Sequence, residues 1–97
     1  MVTLSQRLAA IASPQRMRII TELMTGQTHV SELARRVGMS RALLYMHLTK
    51  LEEAGFVHGH LALSEDGKAL KLFTLTDFTI TITPTSIAAA LPEENNQ

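Results

Sequence analysis

The break Gly38-Met39-Ser40 separates two amphipathic segments, and no other feature constrains the fold of this chain as strongly. Before it, Val30, Leu33, Ala34 and Val37 recur at helical spacing; after it, Leu44, Leu48 and Leu51 do the same. Gly38 is free to turn left-handed and end the first helix, and the Ser40 hydroxyl can cap the second. Two helices joined by so short a turn predict a helix-turn-helix, its second helix spanning about residues 40–54.

Upstream, Leu4, Leu8 and Ile11 line a first helix over residues 3–12, with Thr3 or Ser5 able to cap it. Ser13-Pro14 starts a second, with Met17, Ile20, Leu23 and Met24 as its apolar stripe, Ile19 beside them and Gly26 at its end. Residues 27–30 read as a connection in which His29 caps the third helix, Glu32 following at capping-box spacing. After Gly55 the period changes from 3.6 to 2. Residues 56–63 and 70–75 read as strands joined across Ser64-Glu65-Asp66-Gly67, a hairpin over about 57–75. Phe78, Ile80 and Ile82 alternate with Thr79, Thr81 and Thr83, which predicts a third strand. Thr83-Pro84 starts a short helix through Leu91, and the polar residues 92–97 read as a disordered tail. The expectation is one domain over residues 1–91, α+β but mainly α.

Composition narrows the function. With 97 residues and no cysteine, a two-domain enzyme, a disulfide scaffold, a thiolate zinc site and a Cys nucleophile are excluded. No Ser/His/Asp grouping, phosphate-binding glycine loop or carboxylate pair marks an enzyme, and no cofactor is expected. No apolar run nears the roughly 18 residues that span a bilayer, and no signal-peptide segment opens the chain, so the expected compartment is the cytoplasm. Hydrophobic residues make up 45% and mean hydropathy is +0.10, an apolar surplus that points to burial against a second copy. Net charge is zero, yet residues 1–50 hold seven basic side chains against two acidic, and residues 51–97 two against seven. One half is therefore suited to meet an anion.

The order of helices and hairpin resembles a winged helix-turn-helix, and specific residues carry the likeness. Ser13-Pro14-Gln15-Arg16-Met17-Arg18-Ile19-Ile20 is similar to the opening motif of ArsR-like regulators, and Val30-Ser31-Glu32-Leu33-Ala34 to their third helix. Met39-Ser40-Arg41, then His47-Leu48-Thr49-Lys50-Leu51-Glu52-Glu53-Ala54-Gly55-Phe56-Val57, resemble their recognition helix and its exit. The likeness covers residues 13–57 and extends through the hairpin to about residue 75. It implies a dimeric prokaryotic transcriptional regulator that binds double-stranded DNA, with an N-terminal dimerisation helix and a C-terminal strand and short helix. Where many such sensors carry cysteines in the third helix, or Asp/His sets on a C-terminal one, this chain has none. Metal sensing is accordingly not carried over, and the effector stays open.

In a helix-turn-helix the second helix enters the major groove with its N-terminal residues against base edges. With the leucines inward, Arg41, Ala42, Tyr45, Met46 and Thr49 take the outward arc. Arg41 suits guanine, Ala42 a thymine methyl and Tyr45 a phosphate. Ser40 is first a cap and can add a phosphate contact; Arg35 and Arg36 complement the helix dipole or neutralise phosphate. Lys50 and His47 complete the DNA-facing set on this helix, His47 having packing under the wing as its alternative. Lys68 and Lys71, at and after the hairpin turn, contact the backbone near the minor groove or else form a charged strand edge. Leu4, Leu8, Ile11, Phe78, Ile80, Ile82 and Ile87 form the candidate dimer surface, or else pack the two termini together. Two rival readings remain: a winged helix used for protein–protein assembly, and a metal-responsive regulator in which His58 and His60 share a strand face.

Overall fold

The computed structural model describes residues 2–95. Each helix begins where a side chain can satisfy the open backbone N–H groups. Helix α1 (Leu4–Ile11) opens on a reciprocal cap: the Thr3 hydroxyl accepts from Gln6 N–H while Thr3 N–H donates to Gln6 Oε1 at 2.9 Å. Helix α2 (Pro14–Leu23) follows Ser13, whose hydroxyl accepts from Arg16 N–H, and carries proline in its first turn. Strand β1 (Thr28–His29) leads into α3 (Val30–Val37), where His29 Nδ1 accepts from Glu32 N–H at 3.3 Å. Gly38, at φ 69°, closes α3 in the left-handed conformation that a side chain disfavours. Helix α4 (Arg41–Glu53) is capped by Ser40, and β2 (Val57–Leu63) and β3 (Ala69–Leu75) make the wing. Helix α5 (Pro84–Glu94) is capped by Thr83.

The sheet is antiparallel in the order β1-β3-β2, with Val57 opposite Leu75, Leu63 opposite Ala69 and Thr28 opposite Phe73. Ile19, Leu23, Leu33, Leu44, Leu48, Leu51 and Phe56 form a fully buried centre, which Val30, Ala34, Val37, Val57 and Phe73 extend into the sheet. All four residues expected to line α3 are buried there, as are Leu44, Leu48 and Leu51 of α4, whereas its fourth leucine, Leu43, is 37% exposed. The fold is the expected mainly helical winged helix-turn-helix.

Four local expectations give way to tertiary context. Residues 27–30, expected as a connection, include Thr28 and His29 paired with β3, a strand too short to show any period. Residues 78–83 form no strand and leave both edges of the sheet, β1 and β2, unextended. Their alternation is used differently: Phe78 meets Phe56 edge-on at 4.6 Å, and Phe78 and Ile80 pack onto the core. On α2 the buried residues are Ile19 and Leu23, with Ile20 beside them, while Met17 and Met24 are 53% and 72% exposed. Helix α5 continues past Leu91 through Pro92 to Glu94 instead of giving way to a disordered tail. Its last turn is held by Asn95 N–H to Leu91 O and by the Glu94 carboxylate, which accepts from the Ser5 backbone and hydroxyl. Of the expected tail, residues 96–97 lie outside the described residues.

Gly59 on β2 lies directly against the ring of Phe73 on β3. A Cβ built there would lie 2.7 Å from Cε1 of Phe73, the ring that anchors β3 in the core, with Lys71 Nζ 5.6 Å from the ring centroid. Gly59→Ala is therefore expected to destabilise the domain by about 1–3 kcal/mol through overpacking, read as a lower urea midpoint. An unchanged midpoint would contradict this packing.

Candidate nucleic-acid interface

The turn between α3 and α4 is held by Met39 N–H to Ala34 O at 3.1 Å and Gly38 N–H to Arg35 O at 3.3 Å. These bonds consume carbonyls at the end of α3 and fix where α4 starts. Leu44, His47, Leu48 and Leu51 turn inward. Ala42, Tyr45, Met46 and Thr49 are exposed on the opposite arc, Tyr45 at 41% and Met46 at 48%. Such exposure of large apolar groups on one helix face marks a surface available to a partner.

A groove between the start of α4 and the wing brings Arg41, Tyr45, Leu61 and Lys71 together. Arg41 lies at its rim, where Nη1 donates to the Ser31 hydroxyl at 3.2 Å. That bond orients the guanidinium and leaves its remaining N–H groups free to donate elsewhere. Leu61 is 69% exposed and faces Lys71 across the hairpin. Lys71 is one of the two wing lysines expected from sequence; Leu61 is not among the expected residues, because a leucine in a strand reads as core until the strand is known to project.

The other basic residues are more occupied. Arg35 and Arg36 both bond to Glu32, through Arg35 Nε to Oε2 at 3.1 Å and Arg36 Nε to Oε1 at 3.1 Å. The Arg35 hydrogen bond, aided by Arg36, holds the Glu32 carboxyl below the usual carboxylate range. Arg36 Nη1 also reaches the Thr25 hydroxyl at 3.5 Å, and Arg18 donates to the Arg36 carbonyl. Lys68 stands 3.9 Å from Asp66 beside the wing turn, so the tip carries both signs. Lys50 is 3.9 Å from Glu53 and lines a groove with Gln6, Ala10 and Arg16, away from the Arg41 rim. It therefore sits on the α1 side of α4 rather than with the outward arc.

His47 requires a correction. It belongs to the inner face of α4, 5% exposed, and cannot reach DNA from there. Arg16 Nε–H donates to His47 Nδ1 at 3.0 Å, and Arg16 Nη1 donates to Ala10 O at 3.2 Å. One guanidinium thus ties α1, α2 and α4 together, a role that sequence reading missed for Arg16. The available signal was the spacing of His47, three residues after Leu44 and four before Leu51, which places it in phase with the core. Because Nδ1 accepts, the neutral ring carries its proton on Nε2, which is buried without a hydrogen-bond partner among the described residues. Burial, reinforced by the Arg16 charge, pushes the His47 pKa down.

The candidate dimer residues divide. Ile11, Phe78 and Ile80 pack onto the core of their own chain, and Leu4 and Leu8 are half-buried. Ile82 and Ile87 remain 47% and 49% exposed, joined by Val2 at 40% and Leu91 at 51%, neither of which had been assigned. His58 and His60 stack with ring centroids 5.9 Å apart, but among the described residues they gather no third metal-ligating side chain. No helix among these residues is long and apolar enough to cross a membrane.

Comparison with known proteins adds an independent finding. Residues 13–58 match the family model described as bacterial regulatory protein, arsR family. An HTH-type transcriptional regulator of Methanocaldococcus jannaschii is 33% identical over 69 residues, 71% of this chain and 72% of that protein. The crystal structure of an ArsR family transcriptional regulator superposes with a TM-score of 0.63 at 26% identity, covering 95% of this chain and 91% of the other. A homodimeric winged helix-turn-helix DNA-binding domain from Mycobacterium bovis gives a TM-score of 0.66 at 16% identity, covering 95% of this chain and 74% of that one, a likeness of fold.

The buried histidine generates a pH prediction. A His pKa depressed on folding means that the unfolded chain binds the proton more readily, so His47 contributes stability above its ordinary value near 6.5 that is lost as pH falls below it. His47→Gln can still accept from Arg16 and does not titrate. Between about pH 7.5 and 5, the Tm of the wild type should fall more steeply than that of the variant. Parallel curves would contradict the assignment.

Proposed function

The chain belongs to the HTH-type transcriptional regulators, and we propose, from the arsR-family match over residues 13–58 and the likeness of fold, that it is an ArsR-type regulator acting as a homodimer on double-stranded DNA, α4 in the major groove and the wing against the backbone or minor groove. The observation that carries the reading is the groove in which Arg41 and Tyr45 of α4 meet Lys71 of the wing. A helix flanked by a strand-borne cation is what a duplex needs, since base edges lie in the groove and phosphates along its walls. Arg41 is the base-reading cation, with Ser40, Ala42, Tyr45, Met46 and Thr49 beside it. Arg35, Arg36 and Lys68 act on phosphate from positions where each already has an acidic neighbour. Lys50 and His47 are left out.

The homodimer accounts for the shape of the chain. Its radius of gyration is 15.4 Å, against roughly 12–13 Å for a compact domain of this length. Helix α5 has no buried residue and packs on α1. A second copy seated on Ile82, Ile87 and Leu91 would cover that surface and space two α4 helices about one DNA turn apart. The acidic second half then opposes non-specific adsorption to DNA, while the basic first half faces the duplex. A regulator of this kind works where the DNA is, in the cytoplasm of a prokaryotic cell, and the reading assigns it no catalytic step.

Two measurements test this. Binding to duplex DNA should weaken steeply with salt, and Arg41→Ala should cost about 1–3 kcal/mol of affinity for a specific site. Salt-independent or absent binding would favour the protein-assembly reading instead. In sedimentation the chain should run as a dimer at micromolar concentration, and the double change Ile87→Asp, Leu91→Asp should yield monomer; a wild-type monomer would contradict the dimer.

A further inference from the structure

Resting on the reading of α4 as the DNA-facing helix, we infer that the centre of each half-site is read by apolar contact with thymine methyl groups, with Met46 as the specificity-determining residue. The argument begins with what the outward arc lacks. Between Arg41 and Leu51 the helix contains no Asn, Gln, Asp or Glu. Adenine is read bidentately by Asn or Gln, and the cytosine amino group by a carboxylate, so neither base has its usual partner on this helix. Arg41, the only cation on the helix before Lys50, lies at the rim of the wing groove with one nitrogen already donating to Ser31. Its reach toward guanine is confined to one end of the half-site.

The middle of the arc is occupied by Ala42, Met46 and Thr49, four and then three residues apart and all exposed. This spacing stacks them on one face of the helix. Met46 is 48% exposed and no part of the core, so its exposure serves no purpose in the isolated fold. Of the four bases, only thymine presents an apolar group in the major groove, the C5 methyl. Residues four apart are separated by about 6 Å along the helix axis, roughly two base-pair rises. Ala42 and Met46 can therefore each cover a methyl on thymines one or two pairs apart, and the Thr49 methyl extends the strip. The flexible thioether of Met46 adapts to the position of its methyl, which a β-branched residue could not do. The operator chemistry implied is a half-site with thymines at its centre and a guanine, where present, toward the wing.

The test uses the full chain and a duplex selected from a random library. Replacing individual thymines of the selected half-site by deoxyuridine removes the methyl and leaves base pairing intact. At the position facing Met46 this should weaken wild-type binding about fourfold, the effect of one lost methyl burial. In Met46→Ala, which alters only an exposed side chain, the thymine-to-deoxyuridine ratio at that position should fall close to one while a ratio at the Ala42 position persists. Selected half-sites without fixed thymines, equal affinity for thymine and deoxyuridine duplexes, or an undiminished ratio in Met46→Ala would each overturn the inference and leave sequence-specific DNA binding standing. If no duplex is enriched over random DNA at low salt, the DNA-binding reading itself fails, and this inference with it.

Discussion

The rotation of α4 about its own axis is the constraint on which the rest depends. Leu44, Leu48 and Leu51 are all completely buried, against a centre that includes Ile19, Leu33 and Phe56. Turning the helix by even one residue would move about 100° of its surface, expose leucine and bury Tyr45 and Thr49 in one direction or Lys50 in the other. Truncating such side chains to alanine costs about 2–5 kcal/mol each, comparable to much of the net stability of a domain this small. The inward leucines therefore decide which side chains face outward. The chemistry of the outer arc is a consequence of packing on the inner one.

Arg16 adds a second control on the same helix. Its guanidinium joins the α1 carbonyl of Ala10 to the ring of His47 on α4. Helix α1 also carries α5 through Ser5 and Glu94. A mechanical route thus runs from the terminal helices proposed to pair two copies to the helix proposed to read DNA. The zero net charge fits the same division: the basic half contains α3 and most of α4, and the acidic half contains the wing and α5.

What was legible in the sequence followed the strength of its periodicity. Helices α3 and α4 could be read almost to the residue, because each repeats leucine or valine at 3.6-residue spacing between a capping group and a glycine. The hairpin was legible from its turn chemistry. Strand β1 was not, since two residues have no period and their pairing is decided by Leu72 and Phe73 across the sheet. The alternation of Phe78, Ile80 and Ile82 is real, but it serves packing and not pairing: Phe78 and Ile80 lie on the core while Ile82 is exposed, and none joins the sheet. At the candidate site, Arg41, Ala42, Tyr45 and Met46 followed from helix phase alone. His47 did not, because a motif position was weighed above its phase, and Arg16 escaped because its partners lie on two other helices. Lys71 was legible as a wing cation, whereas Leu61 joins it in the groove only because the wing folds beside α4.

The account is tested most directly by recording amide spectra of the isotope-labelled chain while unlabelled duplex DNA is added. It predicts that shifts concentrate in residues 40–49, in Ser31 and around Leu61 and Lys71, while the amides of α5 barely move. Shifts confined to α1 and α5, with residues 40–49 unmoved, would contradict it.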